Sequence, residues 1–252
     1  MGGLNVSYRF GIPSYKRKDC LHTLRTLVEL GYGKSEIIIS TQTEADYMDY
    51  KKAFGAQATI IYNSAANDSQ NRNTCIDYFD EGEEFLLLDD DIKAFCRLEE
   101  IGEKKLLSRF QTRTQLDKTF EQMFSYCQKH NSPMWAWYPI PNAFFMSNSI
   151  DQKNIFVGTI LGVKNSRSRR FDETFDLKGD YEISLRLMLM GYNAVRFNGF
   201  TVEANHRSKG GCEDARNAGH NAKRCAALLE RYPTLIKPGR KKGEIRYIGK
   251  TK

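Results

Sequence analysis

The sequence predicts an α/β protein, a mostly parallel sheet flanked by helices and followed by a basic helical extension. Three observations carry that prediction. Between Tyr8 and Leu88, short apolar runs alternate with segments whose apolar residues recur at helical spacing, the strand and helix alternation that builds parallel sheets with helices on both faces. The strand runs are apolar throughout, Ile37-Ile38-Ile39 and Leu86-Leu87-Leu88 most plainly, as in strands covered on both sides. Glycines stand where helical patterns end, at Gly31, Gly55 and Gly191, a common helix stop.

Taken in order, Tyr8 to Ile12 reads as a strand stopped at Pro13-Ser14, and Asp19 to Leu30 as a helix with Leu21, Leu24, Leu27 and Val28 on one face. Glu36 to Ser40 is the second strand, Glu44 to Phe54 the second helix and Ala58 to Tyr62 the third strand. A polar loop leads to a short helix from Asn71 to Phe79 and a fourth strand from Glu84 to Leu88. The pattern then turns irregular and charged from Leu98 to Arg113, and helical and amphipathic from Thr114 to His130. Phe156 to Val163 reads as a strand, Lys164 to Arg170 as a basic loop, and Tyr181 to Met190 as a helix. Ala194 to Phe197 opens a strand region running to Asn205-His206. A last helix, Glu213 to Arg231, would bury Ala215, Ala218, Ala222, Cys225, Ala226 and Leu229. No repeat, low-complexity tract or linker interrupts the chain. One domain over residues 1–206 is expected, with a basic extension, residues 207–252, packed on it.

Composition narrows the classes. With 252 residues, 40% apolar and 27% charged, the chain can bury its own core and is no disordered tail. The longest uncharged run, Asn131 to Ile150, holds Pro133, Pro139, Pro141 and several amides, so it is not expected to cross a bilayer. Arg9 comes before any apolar run able to act as a signal sequence, and secretion is not expected. Six cysteines without a CxxC pair read as reduced, mostly buried thiols of a cytoplasmic protein. The net charge of +7 is uneven: residues 207–252 carry 13 basic and 4 acidic side chains, and the rest of the chain is slightly negative. A basic segment on a near-neutral body suggests a polyanionic partner, nucleic acid among them. A merely soluble, lysine-rich end is the plainer alternative.

Asp89-Asp90-Asp91 ends the fourth strand. Adjacent carboxylates oppose one another's ionisation unless a cation sits among them, and open parallel sheets bind ligands beyond the carboxyl ends of their strands. If the chain turns there, Asp89 and Asp91 reach a common Mg or Mn ion, and such an ion bridges a diphosphate. An acidic turn capping a helix at Ile92 is the structural alternative.

A family resemblance follows from these motifs and their order. A first strand ending in Ile12-Pro13-Ser14-Tyr15-Lys16-Arg17, an Arg72-Asn73 pair opening a helix and a Leu-Leu-Leu-Asp-Asp-Asp strand end resemble the glycosyltransferases of the A-type, Rossmann-like fold with their Asp-x-Asp signature. Lys178-Gly179-Asp180-Tyr181-Glu182 is similar to their Glu-Asp-x-Glu acceptor-side motif, with Gly179 in place of the first acid. Asn205-His206 before Lys209-Gly210-Gly211 resembles the histidine that completes their metal shell. Together these motifs look most like the TET-associated glycosyltransferases, largely known from bacteriophages. The resemblance implies transfer of a sugar to the hydroxymethyl group of 5-hydroxymethylcytosine or 5-hydroxymethyluracil in DNA, in the host cytoplasm where a phage encodes the enzyme.

Site roles come with that resemblance. A metal held by Asp89, Asp91 and His206 would neutralise the departing diphosphate, and an imidazole ligand favours Mn(II) over Mg(II). Pro13, Ser14, Tyr15 and Arg17 would meet the base and ribose of a UDP-sugar donor. Arg72 and Asn73 would hold ribose or diphosphate, and Asp90 the donor ribose or sugar. An acceptor hydroxyl must lose its proton as it attacks, which makes Asp180 the first choice of base and Glu182 the second. Both also suit the start of a helix, where the dipole favours acids. Lys164, Arg167, Arg169 and Arg170 form one basic run, and Arg240, Lys241 and Lys242 another, suited to DNA phosphates. Trp135, Trp137 and Tyr138 would either stack on an extruded base or pack as core around the three prolines.

Three rival readings remain. An A-type enzyme acting on a surface polysaccharide or lipid carrier would be indifferent to DNA. A binding module that keeps the fold would lack turnover. A nucleotidyltransferase would carry a glycine-rich N-terminal loop with a lysine, where Phe10 to Arg17 has only Gly11.

Overall fold

The computed structural model describes residues 7–205, 211, 219–241 and 243–249. His206, Lys242, Ala215 and Ala218, singled out above, lie outside them. The chain runs β1 (Arg9–Ser14), α1 (His22–Glu29), β2 (Ile37–Thr41), α2 (Glu44–Phe54), β3 (Thr59–Tyr62), α3 (Asp68–Tyr78), β4 (Glu84–Leu88), β5 (Ile92–Ile101), β6 (Lys104–Arg109) and α4 (Arg113–Lys129). It continues through β7 (Met134–Trp137), β8 (Ile150–Asp151), β9 (Ile160–Lys164), α5 (Gly179–Leu189), β10 (Val195–Phe197), β11 (Phe200–Ala204), α6 (His220–Arg231), β12 (Ile236–Pro238) and β13 (Ile245–Tyr247).

An eight-stranded sheet in the order β3-β2-β1-β4-β9-β7-β10-β8 forms the centre. Six of its strands run in one direction; β9 and β8 oppose them. The α/β, mostly parallel architecture expected from the sequence is therefore present. Because β1 pairs with β2 on one side and β4 on the other, strand order reverses between β1 and β4. The crevice outside their carboxyl ends is the ligand position of such sheets.

Period-two alternation sends the apolar strand runs to two cores. Phe10, Ile12, Ile37, Ile39, Leu86 and Leu88 pack with Leu24 and Leu27 of α1 and Leu116, Phe120 and Met123 of α4. Ile38, Phe85 and Leu87 face the other way, against Cys75, Ile76 and Phe79 of and beyond α3 and Ile183 and Leu187 of α5. Each fully buried aliphatic or aromatic side chain here stabilises the fold by about 1.5–3 kcal/mol.

This packing corrects the base-stacking expectation. Trp135 and Trp137 are 0% and 1% exposed and stack on each other, Phe120 and neighbouring rings in the first core. Tyr138 is held by a backbone bond from its N–H to Phe200 O and lies under Arg196. The two tryptophans are core aromatics that no base reaches, and Tyr138 is half-buried just beyond the end of β7.

Other differences have local causes. The charged stretch read as irregular forms β5 and β6, an antiparallel pair joined by β11 in a second sheet; the alternation along β5 was masked by charged residues on its open face. α3 starts at Asp68, its first turn capped by the Asn67 side chain on Gln70 N–H, so Arg72 and Asn73 lie inside the helix. α6 buries Cys225 and Leu228 while Ala222 and Ala226 are exposed, because it docks through Leu228, Tyr232 and Ile236 on Ile155, Phe175 and Leu185. Among the described residues no helix is long and apolar enough to cross a membrane.

The basic loop after β9 lies away from the end of β4 that carries the aspartates. β4 and β9 are antiparallel, with Leu88 opposite Ile160 and Glu84 opposite Lys164. Four residue steps, about 14 Å, separate Lys164 from the carboxyl end of β4. Arg167 N–H and Arg170 meet Glu81 and Asp77 at that far end, and Arg169 donates to Lys164 O. Lys164, Arg167, Arg169 and Arg170 thus belong to the opposite end of the sheet from the site described next.

Candidate active site

A cleft of about 680 Å³ opens at the carboxyl ends of β1 and β4, between the loop after β1, the start of α3, the Asp89–Asp91 turn, residues 157–159 and the start of α5. Pro13, Ser14, Tyr15, Arg17, Arg72, Asp89, Asp90, Asp91 and Asp180 all line it.

On the β1 side a hydrogen-bonded chain fixes the loop. Arg17 N–H donates to the Tyr50 hydroxyl (2.9 Å), Tyr50 and Ser14 hydroxyls lie 2.9 Å apart, and Ser14 donates to Asp90 Oδ2 at 2.6 Å. Since the one Ser14 proton goes to Asp90, the Tyr50 hydroxyl donates to Ser14, and the chain has one direction. Arg17 Nη1 closes it on Asp90 Oδ1 at 2.6 Å. Both Asp90 oxygens are thereby engaged, and the side chain anchors the β1 loop. Lys16, between Tyr15 and Arg17, and Lys178, before α5, hold left-handed φ angles of 54° and 66°, a conformation costly for a side chain with Cβ and typical of tightly determined sites.

Arg72 is the hub of the opposite wall. Its Nε donates to Asp68 Oδ2 (2.6 Å), Nη2 to Asp89 Oδ1 (2.7 Å) and Nη1 to Gly158 O (3.3 Å). Asp68 and Asn71 were missed by the motif reading. Their signal is the Asn67 to Gln70 capping spacing, which starts the helix at Asp68 and puts residues 68, 71 and 72 on one face. Asn71 is fully buried and ties the strand ends together, donating to Ser14 O and Ser40 O and accepting from the Ser40 hydroxyl. Asn73 faces away; it binds Phe171 N–H and O and Glu173, so its expected contact with the donor is corrected to a loop clamp.

Charge at this wall is unbalanced. Among the described residues, Asp68, Asp89, Asp90 and Asp91 meet only Arg17 and Arg72, leaving two negative charges. Burial pushes the Asp89 pKa up to about 7; Arg72 opposes the rise, while Asp91 and Asp68 add to it. Asp91 is 5% exposed, and its Oδ1 has no hydrogen-bond partner among the described residues. A buried, unpartnered carboxylate oxygen beside a second carboxylate in a two-charge deficit fits one divalent cation of the oxygen-liking class. Among the described residues no group of three metal-ligating side chains forms, so Asp89 and Asp91 would be joined by ligands from the substrate, water or residues outside the described set, where His206 falls.

Asp180 stands in the first turn of α5, joined to Arg72 through the Gly158 peptide. Its Oδ2 accepts from Gly158 N–H at 2.8 Å and its Oδ1 from Tyr181 N–H at 2.9 Å. Burial raises its pKa, against the pull of Arg72, the Gly158 N–H, Lys178 and the Tyr181 N–H. The preceding Gly179 has no space for a side chain: a Cβ would lie 2.5 Å from Ser69 Oγ, which explains glycine where the resembling motif has an acid. Glu182 is corrected. It is fully buried on the far face of α5, bound by Arg186 and the Tyr232 hydroxyl, and anchors α6.

Asp176 and Asn221 also line the cleft. Asp176 binds His220 and Arg224 of α6, so the start of that helix forms part of the rim. Arg240 and Lys241 lie outside the cleft, exposed on the turn between β12 and β13.

No protein-family model matches the chain, and no curated protein matches it. Among solved structures, that of a CMP:2-keto-3-deoxy-manno-octonic acid synthetase complexed with CTP is similar at a TM-score of 0.49 and 13% identity, over 90% of this chain and 99% of that chain. At that distance function has to be read from the cleft itself.

Proposed function

We propose that the protein is a metal-dependent glycosyltransferase that moves a sugar from a UDP-linked donor to the hydroxymethyl group of 5-hydroxymethylcytosine, or 5-hydroxymethyluracil, in DNA. The observation that carries the reading is one cleft that holds a two-charge carboxylate excess at the end of β4 and a further desolvated carboxylate, Asp180, one peptide away from Arg72. A nucleoside diphosphate suits the β4 aspartates and Arg72, and an acceptor hydroxyl suits Asp180.

In this reading Ser14 and Tyr15 border the nucleoside and Arg17 holds the loop around it. Asp89 and Asp91 would hold Mn(II) or Mg(II), which when bound supplies positive charge to the diphosphate. Arg72 orients Asp89 and contributes a second cation to the same wall. Asp180 takes the acceptor proton as the hydroxyl oxygen bonds to the anomeric carbon; the bond to the diphosphate breaks, its electron pair leaves with UDP, and the sugar inverts. The Gly158 peptide sets the spacing between Arg72 and Asp180, its C=O on Arg72 and its N–H on Asp180. A Cβ there would lie 3.2 Å from Asp180 Cβ and 3.4 Å from Arg72 Nη1. Gly158→Ala is therefore expected to lower kcat about ten- to a hundredfold by misplacing Asp180, with donor KM nearly unchanged; an unaltered kcat would remove the spacer role.

The reaction itself is tested by incubating 5-hydroxymethylcytosine DNA with the protein, Mn(II) and mixed UDP-sugars, then weighing the digested nucleosides. A hexose or pentose gain on the modified base is expected. Unmodified nucleosides from this DNA and from 5-hydroxymethyluracil DNA, with the sugar moved to a polysaccharide or lipid acceptor and UDP released, would overturn the DNA reading.

A further inference from the structure

The β12–β13 hairpin carries charge that the cleft chemistry does not use. Ile236 faces inward under Leu228 and Tyr232, so period-two alternation turns Lys237 outward, and its cross-strand neighbour is Arg246, also exposed. Like charges directly opposite on neighbouring strands destabilise a hairpin. Arg240 and Lys241 extend the same cationic strip at the turn. The basic residues of α6 nearer the body are neutralised, Arg224 by Asp176 and Arg231 by Asp172. Lys237, Arg240, Lys241 and Arg246 make no ion pair with any described residue. Glu244, the one acid of the hairpin, receives the Lys241 N–H.

The hairpin also sits beside the cleft. Its turn rests on the first turns of α6, where Asn221 Nδ2 donates to Gly243 O at 3.2 Å and Cys225 Sγ lies 2.8 Å from the same oxygen, and Asn221 lines the cleft. We infer that this hairpin is a cationic ribbon that lies along the phosphates of a DNA duplex and delivers the acceptor nucleotide to the cleft mouth, an inference that rests on the DNA acceptor proposed above. A two-stranded ribbon has the width that a major groove admits. On the face of Lys237 and Arg246 the hairpin carries one exposed branched side chain, Ile248, and no aromatic; a single apolar residue among four cations is less than membrane-lying elements insert, so DNA is favoured over an anionic bilayer.

The test measures binding of the full chain to an unmodified 30-base-pair duplex against salt, and needs neither donor nor transfer. Lys237→Gln with Arg246→Gln should reduce the slope of log affinity on log salt by about 1.8, or about 0.9 for each phosphate that is no longer neutralised, and should not lower Tm, since a repulsive pair is removed. Lys164→Gln with Arg167→Gln removes the same charge at the opposite end of the sheet and should leave the slope as in the wild type. Equal slopes for both pairs would overturn the inference as a net-charge effect. Binding to phosphatidylglycerol vesicles, abolished in the hairpin pair while no duplex is bound, would overturn it in favour of a lipid surface. A normal slope change together with no sugar transfer would sink the proposed reaction and leave the ribbon standing.

Discussion

Asp180→Asn is expected to bind donor as the wild type does and to transfer sugar about 10²- to 10⁴-fold more slowly, the range lost when a general base is removed. The substitution preserves shape and one acceptor oxygen; with that oxygen on the Gly158 N–H the 157–159 segment should remain in place, while the new NH2 meets the Tyr181 N–H that Oδ1 accepted, at a cost in stability of about 1–3 kcal/mol. What disappears is the ability to take a proton. Asp180 titrates above the usual carboxylate range because burial disfavours its charge, even with Arg72 and two backbone N–H groups opposing the shift. The active form is the carboxylate; transfer by the wild type should therefore rise with pH through that raised pKa and fall as pH drops below it. In Asp180→Asn, assayed at saturating Mn(II) so that Asp89 stays ionised, this acid limb should be absent from the residual rate. The measurement is kcat and donor Kd for both proteins across pH. A variant with wild-type kcat, or with the same acid limb, would show that another group carries the proton.

The fold was legible because its strands are apolar on both faces and its helices stop at glycine; the Ile37–Ile39 and Leu86–Leu88 runs need cover on both sides. The second sheet was not, since β5 shows its period only where Ala94, Cys96 and Leu98 are buried against Lys93 and Arg97 outside. At the site, residues fixed to strand ends were readable: Ser14 and Asp89 to Asp91 must emerge at the carboxyl edge if the strands are parallel. Residues whose role depends on which helix face meets the sheet were not. Asn73 and Arg72 are neighbours in sequence, yet a helix turns about 100° per residue, so one faces the cleft and the other the 171–173 loop. Glu182 and Asp180 separate for the same reason, two residues apart on α5 and on opposite sides of it. The tryptophans could not be placed from composition, because burial of β7 depends on its place inside the sheet between β9 and β10, pairings distant in sequence.

Asp91→Ala is expected to abolish metal-dependent turnover, lowering it about 10³-fold or more, since a Lewis-acid contribution of several kcal/mol is lost at about 1.36 kcal/mol per factor of ten. Folding should not suffer. Asp91 holds no hydrogen bond at Oδ1 among the described residues, its nearest cation, Arg17, stands 3.7 Å away and is closer to Asp90, and its charge works against Asp89. Removing it relieves that repulsion, so Tm without metal should equal or exceed the wild-type value. The two proteins should part when Mn(II) is added: a cation that binds only the folded state raises Tm in proportion to its binding, and the wild type should show that rise where the variant does not. Arg72→Ala should behave in the opposite sense. It leaves Asp68 and Asp89 without their shared partner, so stability should fall in the absence of metal and Mn(II) should recover part of it. A thermal melt series with and without Mn(II), run beside a turnover assay, separates these cases. If Asp91→Ala keeps both the Mn(II) shift and turnover, the cation is held elsewhere and the charge deficit at β4 has another purpose. If it keeps the shift but loses turnover, Asp91 acts on the donor directly. Loss of both, with an undiminished baseline Tm, is the result that a two-carboxylate metal seat requires.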